Sequence, residues 1–365
     1  MKLNIIRRKY HEVDHYKDFF AKKIIEWYCQ NKRKLPWRTK PGQKNFEYRV
    51  LVSEFMLQQT TVKTVIPYFK RFIKKWPSIN ALSKANDVEI LLQWQGLGYY
   101  SRGRNLLRTA KIISLDFAGK IPQTEKELIS LPGVGEYTAA AIRSIAFNKK
   151  AVAVDGNIKR VIARFFALKG TLENNLNKIH EFCNLLCPEL NNRDYTEGVM
   201  EIGATVCKPK SPNCKECVLS SNCKSFINNQ VNCIPAPKIR LSKRKLSCIT
   251  YLAVKNNKSI LLVNRENKKI LKDQWELPSS DWMKSKPKNI KAHSPIKNIK
   301  WEKSKINFNH SFSHIDLMNS LYVTKLKELS PLDKPLKSRW VSLLDLNKYP
   351  LTTMSKKTLR KCELI

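Results

Sequence analysis

The stretch "CKPKSPNCKECVLSSNC", residues 207–223, spaces Cys207, Cys214, Cys217 and Cys223 as C-x6-C-x2-C-x5-C. In a reducing compartment, thiols clustered so tightly point to a shared metal centre rather than to disulfides. Zinc held by four thiolates and an iron-sulfur cluster both use such ligand sets, and spacing alone does not separate them. The other cysteines, Cys29, Cys183, Cys187, Cys233, Cys248 and Cys362, lack this spacing and read as packing or surface thiols.

The cluster also marks a change of pattern. Upstream, residues 14–230 read as mostly helical, with periodic apolar positions in "EYRVLVSEFMLQQT", "VIPYFKRFIKKW" and "NIKRVIARFFAL" broken by Pro and Gly. Just beyond it, "NNQVNCIPAPKIRLSKRK" has the prolines and charges of an exposed linker. After that, "LSCITYLAV" and "SILLVNR" flank "KNNK" as a β-hairpin, "FSHIDLMNSLYV" reads as a strand and "TMSKKTLRKCEL" as a closing helix. The expected organisation is a mainly α domain over 1–229, a linker over 230–246 and a smaller α+β domain over 247–365, which suits a chain of 365 residues.

Lys and Arg number 68 against 30 Asp and Glu, a formal charge of +38. Such an excess points to a polyanion such as nucleic acid, although lysines spread end to end also describe a solvated surface. No apolar run approaches the ~18 residues of a membrane span. "MKLNIIRRKYHEVDH" is broken by charges before a signal-peptide core forms. The reading is a monomeric, cytoplasmic (nucleoid-associated) protein with no membrane partner.

"TEKELISLPGVGEYTAAAIRSIAF" is helix, tight turn, helix, with Gly133 and Gly135 expected to permit the sharp path between them. Free amides at the start of the second helix suit a phosphate, a contact that positions a duplex without reading its sequence.

The hairpin "LPGVGEYTAAA", then "VDGNIKRV", then the cysteine spacing resemble the helix-hairpin-helix DNA glycosylases that carry an iron-sulfur cluster. "SEFMLQQTTV" and "GLGYYSRGRNL" are similar to the adenine DNA glycosylase branch, whereas the endonuclease III branch has Lys where this chain has Tyr137. The resemblance runs from about Trp27 to Cys223 and returns in "WELPSS" and "FSHIDL". It implies a 4Fe-4S cluster on Cys207, Cys214, Cys217 and Cys223, and removal of adenine from A:8-oxoguanine or A:G mispairs in double-stranded DNA. Glu54, in the apolar context "VLVSEFML", becomes the general acid, its pKa raised by desolvation; without the motif it would read as a solvent-facing glutamate. Asp155 stabilises the cationic sugar with support from Asn157, and can also serve as a helix N-cap. Tyr137 offers no amine for a Schiff base, so strand cleavage is not expected.

By the same resemblance Gln59 and Tyr99 wedge into the base stack, while Trp37, Arg38, Glu197 and Met200 line the adenine pocket. Trp37 and Met200 read equally as plain core, and Arg102 and Arg104 as groups touching phosphate or solvent. The second domain resembles a Nudix-like module in which Phe312, Ser313 and His314 meet the oxidised guanine; a strand's polar face is the plainer reading of Ser313 and His314. Nudix hydrolysis is not expected, because Asp281 and Glu302 are the only acids between Leu277 and Phe312. Two alternatives compete: a bifunctional endonuclease III-type glycosylase-lyase for oxidised pyrimidines, and a catalytically silent DNA-binding iron-sulfur protein.

Overall fold

The computed structural model describes residues 2–238, 242–266, 268, 270–327 and 337–365. The helices are α1 (Lys2–Asn31), α2 (Phe46–Leu57), α3 (Val62–Lys75), α4 (Ile79–Ser83), α5 (Asp87–Trp94), α6 (Ser101–Asp116), α7 (Glu125–Ser130), α8 (Glu136–Ala141), α9 (Gly156–Phe165), α10 (Leu176–Leu186), α11 (Asn192–Thr205), α12 (Lys224–Ile227) and α13 (Thr353–Lys361). The strands are β1 (Arg244–Lys255), β2 (Ser259–Asn264), β3 (Trp275–Glu276), β4 (Glu302–Ser311), β5 (Ile315–Leu326) and β6 (Ser338–Ser342). They form two compact units, Met1–Ala85 with Arg102–Ile239, and Asn86–Ser101 with Arg240–Ile365. The fold is therefore a helical domain followed by a smaller domain built on a mixed sheet, as the change of pattern predicted.

The first unit is organised around α2, whose residues Phe46, Tyr48 and Val50–Met56 are all buried. A helix apolar on every side belongs inside a protein, so the one carboxylate in that run, Glu54, is carried into the interior. A second core joins α1, α9, α10 and α11 through Phe20, Ile24, Phe165, Ile179, Val199 and Ile202. Side-chain oxygens start several helices: Thr61 accepts from Thr64 N, and Thr124 with Glu127 forms a reciprocal capping box. The helical region begins at Lys2, well ahead of the expected residue 14, and α3 runs through Pro67 instead of breaking there. The buried stripe Val65, Phe69, Phe72 and Ile73 holds that helix together across the missing amide.

In the second unit the strand order is β3-β2-β1-β5-β4, with β6 also on β2. β1 and β5 run parallel over their full length, and the other pairs are antiparallel. The expected β1–β2 hairpin is present, with Val254 opposite Ile260. A capping box, Asn86 with Glu89, opens α5, and Gln95 Nε2 just beyond its end donates to Leu351 O at 2.7 Å. β1 starts at Arg244, inside the stretch read as linker; residues 239–241 of that stretch lie outside the described residues. β4 and β6 were not anticipated. β4, "EKSKINFNHS", ends the strand order and is largely exposed, so its lysines sit where edge strands tolerate charge and its apolar alternation is weak.

Candidate functional site

A cleft of about 1420 Å³ opens in the first unit between the segment after α1, α2, α8, the start of α9, and α11. Glu54, Tyr137 and Asp155 all line it. Glu54 is 5 % exposed, so the solvent-facing reading is excluded. Burial pushes its carboxyl up to about 7; the hydrogen bond from Tyr137 lowers it, and the nearby negative charge of Asp155 raises it further. Tyr137 Oη donates to Glu54 Oε2 at 3.2 Å. Burial and the adjacent carboxylates keep that phenol well above its ordinary range, so it remains a donor.

Asp155 is the N-cap of α9, accepting from Ile158 N at 2.7 Å and from Asn157 Nδ2 at 2.8 Å. Burial raises its carboxyl above the ordinary value, against the pull of those hydrogen bonds. Asn157 is held in turn by Arg160 Nη2, which donates to its Oδ1 at 2.9 Å, and by Gly203, where a Cβ would lie 2.6 Å from Asn157 Cβ. A glycine on α11 thus lets two helices approach closely behind the carboxylate.

Across the cleft, α11 presents Glu197 and Glu201 one turn apart on a single face. Arg38 Nε donates to Glu197 Oε1 at 3.0 Å and Arg38 Nη2 to Glu201 Oε2 at 2.9 Å. Arg33 forks onto Glu201, and Tyr28 Oη donates to Glu197 Oε2 at 2.9 Å. Burial alone would raise Glu201, but the Arg33 and Arg38 guanidiniums bring it below the usual glutamate value. Charges desolvated to this degree persist because every one is paired. Trp37 is buried edge-on against Phe69, at 5.3 Å between ring centroids, yet both it and Met200 also line the cleft. For these two, core packing and a place on the cleft wall coexist.

The glycines of the hairpin divide differently from the expectation. Gly133 has φ +80°, and a Cβ there would meet Asn105 and Phe55 at 2.8 and 3.0 Å. Gly135 is extended, φ −96° and ψ 179°, and a Cβ would find nothing within 4 Å. The turn therefore requires glycine at 133, while at 135 the backbone does not. Beyond α8 the helix widens into a π-turn, Ile142–Ala146, whose Ile145 and Ala146 carbonyls accept from the Arg193 guanidinium.

Gln59, just past α2, is exposed with φ +55°, a left-handed conformation uncommon outside glycine. In the second unit Tyr99 has φ +45° and is 49 % exposed. Arg102 departs from its expected contact with phosphate or solvent. It is 6 % exposed, and its guanidinium donates to the carbonyls of Phe55, Met56 and Gln58 and to Thr60 Oγ1, satisfying the C-terminal end of α2. Phe312, Ser313 and His314 also depart from the strand reading: they form the tip between β4 and β5, with Ser313 and His314 exposed. Sequence reasoning missed Tyr28, Arg33, Glu201, Arg160 and Lys159, although the last lines the cleft with Asp155. The four-residue spacing of Glu197 and Glu201 on a helix was the available signal for Glu201.

Cys207, Cys214, Cys217 and Cys223 border one small cavity, with Arg164 on its wall. Arg164 Nη1 lies 3.3 Å from Cys207 Sγ and donates to Lys208 O at 2.7 Å, bracing the loop. Among the described residues no three Cys, His, Asp or Glu side chains converge as ligands of one metal ion. Four thiols around one cavity are a donor set that suits either a structural zinc or an iron-sulfur centre. No helix among the described residues is long and apolar enough to cross a membrane.

Residues 52–188 match the HhH-GPD superfamily base excision DNA repair proteins, and residues 250–361 match the NUDIX domain. The adenine DNA glycosylase of Buchnera aphidicola subsp. Baizongia pistaciae is 35 % identical over 331 residues, 89 % of this chain and 91 % of that one. The Homo sapiens adenine DNA glycosylase is 30 % identical over 93 % of this chain and 73 % of its own. Among solved structures, a thermostable thymine-DNA glycosylase superposes on 59 % of this chain with TM-score 0.52 and 30 % identity, covering 98 % of that protein.

Proposed function

This chain belongs to the adenine DNA glycosylase family, a base-excision repair glycosylase of the HhH-GPD superfamily, and we propose that it hydrolyses the N-glycosidic bond of adenine mispaired with 8-oxoguanine or guanine. The observation that carries the reading is the buried Glu54, with a pKa of about 7, in one cleft with Asp155. Glu54 gives its proton to adenine N7. The C1′–N9 bond then breaks with its electron pair on the base, leaving an oxocarbenium-like sugar. Asp155 faces that cation with a negative charge, and water adds to C1′ with loss of a proton. Tyr137 holds the Glu54 carboxyl through its hydroxyl.

The base reaches Glu54 only if it leaves the duplex. Gln59 and Tyr99, both exposed, supply side chains to fill the gap; Gly133 shapes the turn that holds the phosphate backbone, and the open space at Gly135 lets that backbone approach. Arg38 and Glu197 offer a donor and an acceptor to the flipped base, between Trp37 and Met200. On the opposite strand, the tip Phe312, Ser313 and His314 meets 8-oxoguanine. Duplexes containing A opposite 8-oxoguanine, A opposite G, and an oxidised pyrimidine should distinguish the readings. Free adenine should appear from the first two, fastest from the first, with strand breaks only after alkali. Release of the pyrimidine, or breaks without alkali that vanish in Lys159→Ala, would replace this reading with a glycosylase-lyase.

Cys207, Cys214, Cys217 and Cys223 hold a 4Fe-4S cluster in this proposal. The cluster's bonds to the thiolates would close the 207–223 loop on itself, and Arg164 of α9 already grips that loop at Lys208. Anaerobically purified protein should contain iron and sulfide in equal amounts, near four of each per chain for such a cluster, with broad violet absorbance. Stoichiometric zinc without iron would refute it.

A further inference from the structure

We propose that Trp282 is a positioning residue for opposite-base recognition, holding the Phe312–Ser313–His314 tip in one shape through an aromatic column. The proposal rests on the reading that this tip meets the base opposite the adenine. The tip closes tightly: Phe312 N donates to Ile315 O at 2.7 Å, and Arg244 N to His314 O at 3.1 Å. Its polar pair, Ser313 Oγ and His314 Nδ1, is 3.1 Å apart and faces solvent.

The Phe312 ring instead turns inward. It lies against the Trp282 indole, 5.2 Å between centroids at 32°, and edge-on to His310 at 4.6 Å. Trp282 is itself fixed. Its neighbour Met283 exchanges both backbone hydrogen bonds with Ser247 of β1, at 2.7 and 2.9 Å. Beneath the indole lies the Arg265 guanidinium, 5.4 Å from the ring, which is buried and bound to Glu276 Oε1 and to Ile270 O. The ion pair Glu276–Arg265, the indole and the phenyl ring thus form a continuous support from the sheet to the exposed pair. Recognition by two short side chains depends on their placement, and a tip tethered only by its backbone would sample other placements at an entropic cost on binding.

The experiment measures single-turnover adenine excision and binding with A opposite 8-oxoguanine and opposite G, in the full-length protein. Trp282→Leu should reduce the preference for 8-oxoguanine by about two- to ten-fold, the range that an aromatic pair supplies, with excision opposite G unchanged. Trp282→Phe, which keeps a ring, should restore most of it; a merely space-filling role would not separate Phe from Leu. Ser313→Ala with His314→Ala is run in parallel. If that double variant loses preference and Trp282→Leu does not, the positioning role is overturned and the tip reading stands. If the double variant keeps its preference, the tip reading falls and the inference with it. Should Trp282→Leu fail to fold, Arg265→Lys keeps a charge for Glu276 but removes the planar face under the indole. It should shift preference in the same direction, and an unchanged preference would overturn the proposal.

Discussion

Glu54→Gln should lower single-turnover adenine excision by ~10²–10⁴-fold while duplex binding stays near the wild-type level. Gln keeps the shape and can still accept the Tyr137 hydroxyl through its carbonyl oxygen, so the pocket stays closed. What disappears is the transferable proton. The site suits proton donation because burial holds the carboxyl near 7, where a sizeable fraction is protonated at physiological pH. Excision within a few-fold of wild type would remove Glu54 from the acid role.

The same burial fixes the pH dependence. Excision needs Glu54 protonated and Asp155 ionised, so the rate should fall as pH rises through about 7, and fall again in acid as Asp155, itself raised by burial, takes up its proton. The two carboxyls interact, so the limbs of this profile belong to the pair. Stability moves in a defined direction as well. Below the ordinary glutamate value of 4.5 both folded and unfolded chains hold the Glu54 proton. Between 4.5 and about 7 the unfolded chain releases it while the native chain keeps it, so stability declines with pH, by about 3 kcal/mol in all, and stays reduced above that range. Glu54→Gln should therefore be more stable than wild type in urea at pH 8, and lose that advantage near pH 4.

What the sequence made legible follows from where its signals are local. The buried helix around Glu54 was written in "VLVSEFML", and the cap at Asp155 in an acid just ahead of a helix. The cysteine loop was written in its spacing. Pairings across the chain were not legible. Tyr28 meets Glu197 over a separation of 169 residues, and Arg33 meets Glu201 over 168. Arg102 was misread because an arginine in a polar run resembles a phosphate contact. Its role emerges only once the end of α2 presents unsatisfied carbonyls to it.

The β domain shows the same limit from another side. β1, β2 and β5 carry apolar runs because neighbours cover them, and their pattern was visible. β4 is lysine-rich and mostly exposed, so nothing in its alternation announced a strand, and without it the turn at Phe312–His314 could not be placed. Gly135 is a different case. Two glycines in one turn suggested one backbone reason, yet only Gly133 has the left-handed φ that demands it. Open space beside Gly135 leaves close approach of a ligand as its remaining use.

Asp155→Asn separates two roles that Asp155→Ala would confound. Asparagine is as good an N-cap as aspartate, and its Oδ1 can still accept from Ile158 N, so α9 should form as before. The negative charge is gone, however. A sugar cation developing beside it then loses that counter-charge, and removal of one preorganised electrostatic group is worth ~10²–10³ in rate. Asn157 would feel the change too. Its Nδ2 donates to Asp155 Oδ2, the position the introduced amide nitrogen would occupy, so it must turn and weaken its hold on Arg160. Excision should therefore drop by ~10² or more, while the retained cap keeps the change in unfolding midpoint smaller than in Asp155→Ala. Asp155→Ala should show a similar loss of excision and, in addition, about 0.5–2 kcal/mol less stability from the missing cap. The measurements are single-turnover excision opposite G and urea denaturation of both variants. Near-normal excision by Asp155→Asn would reduce Asp155 to a helix cap and leave the cationic sugar to be stabilised by other groups of the cleft.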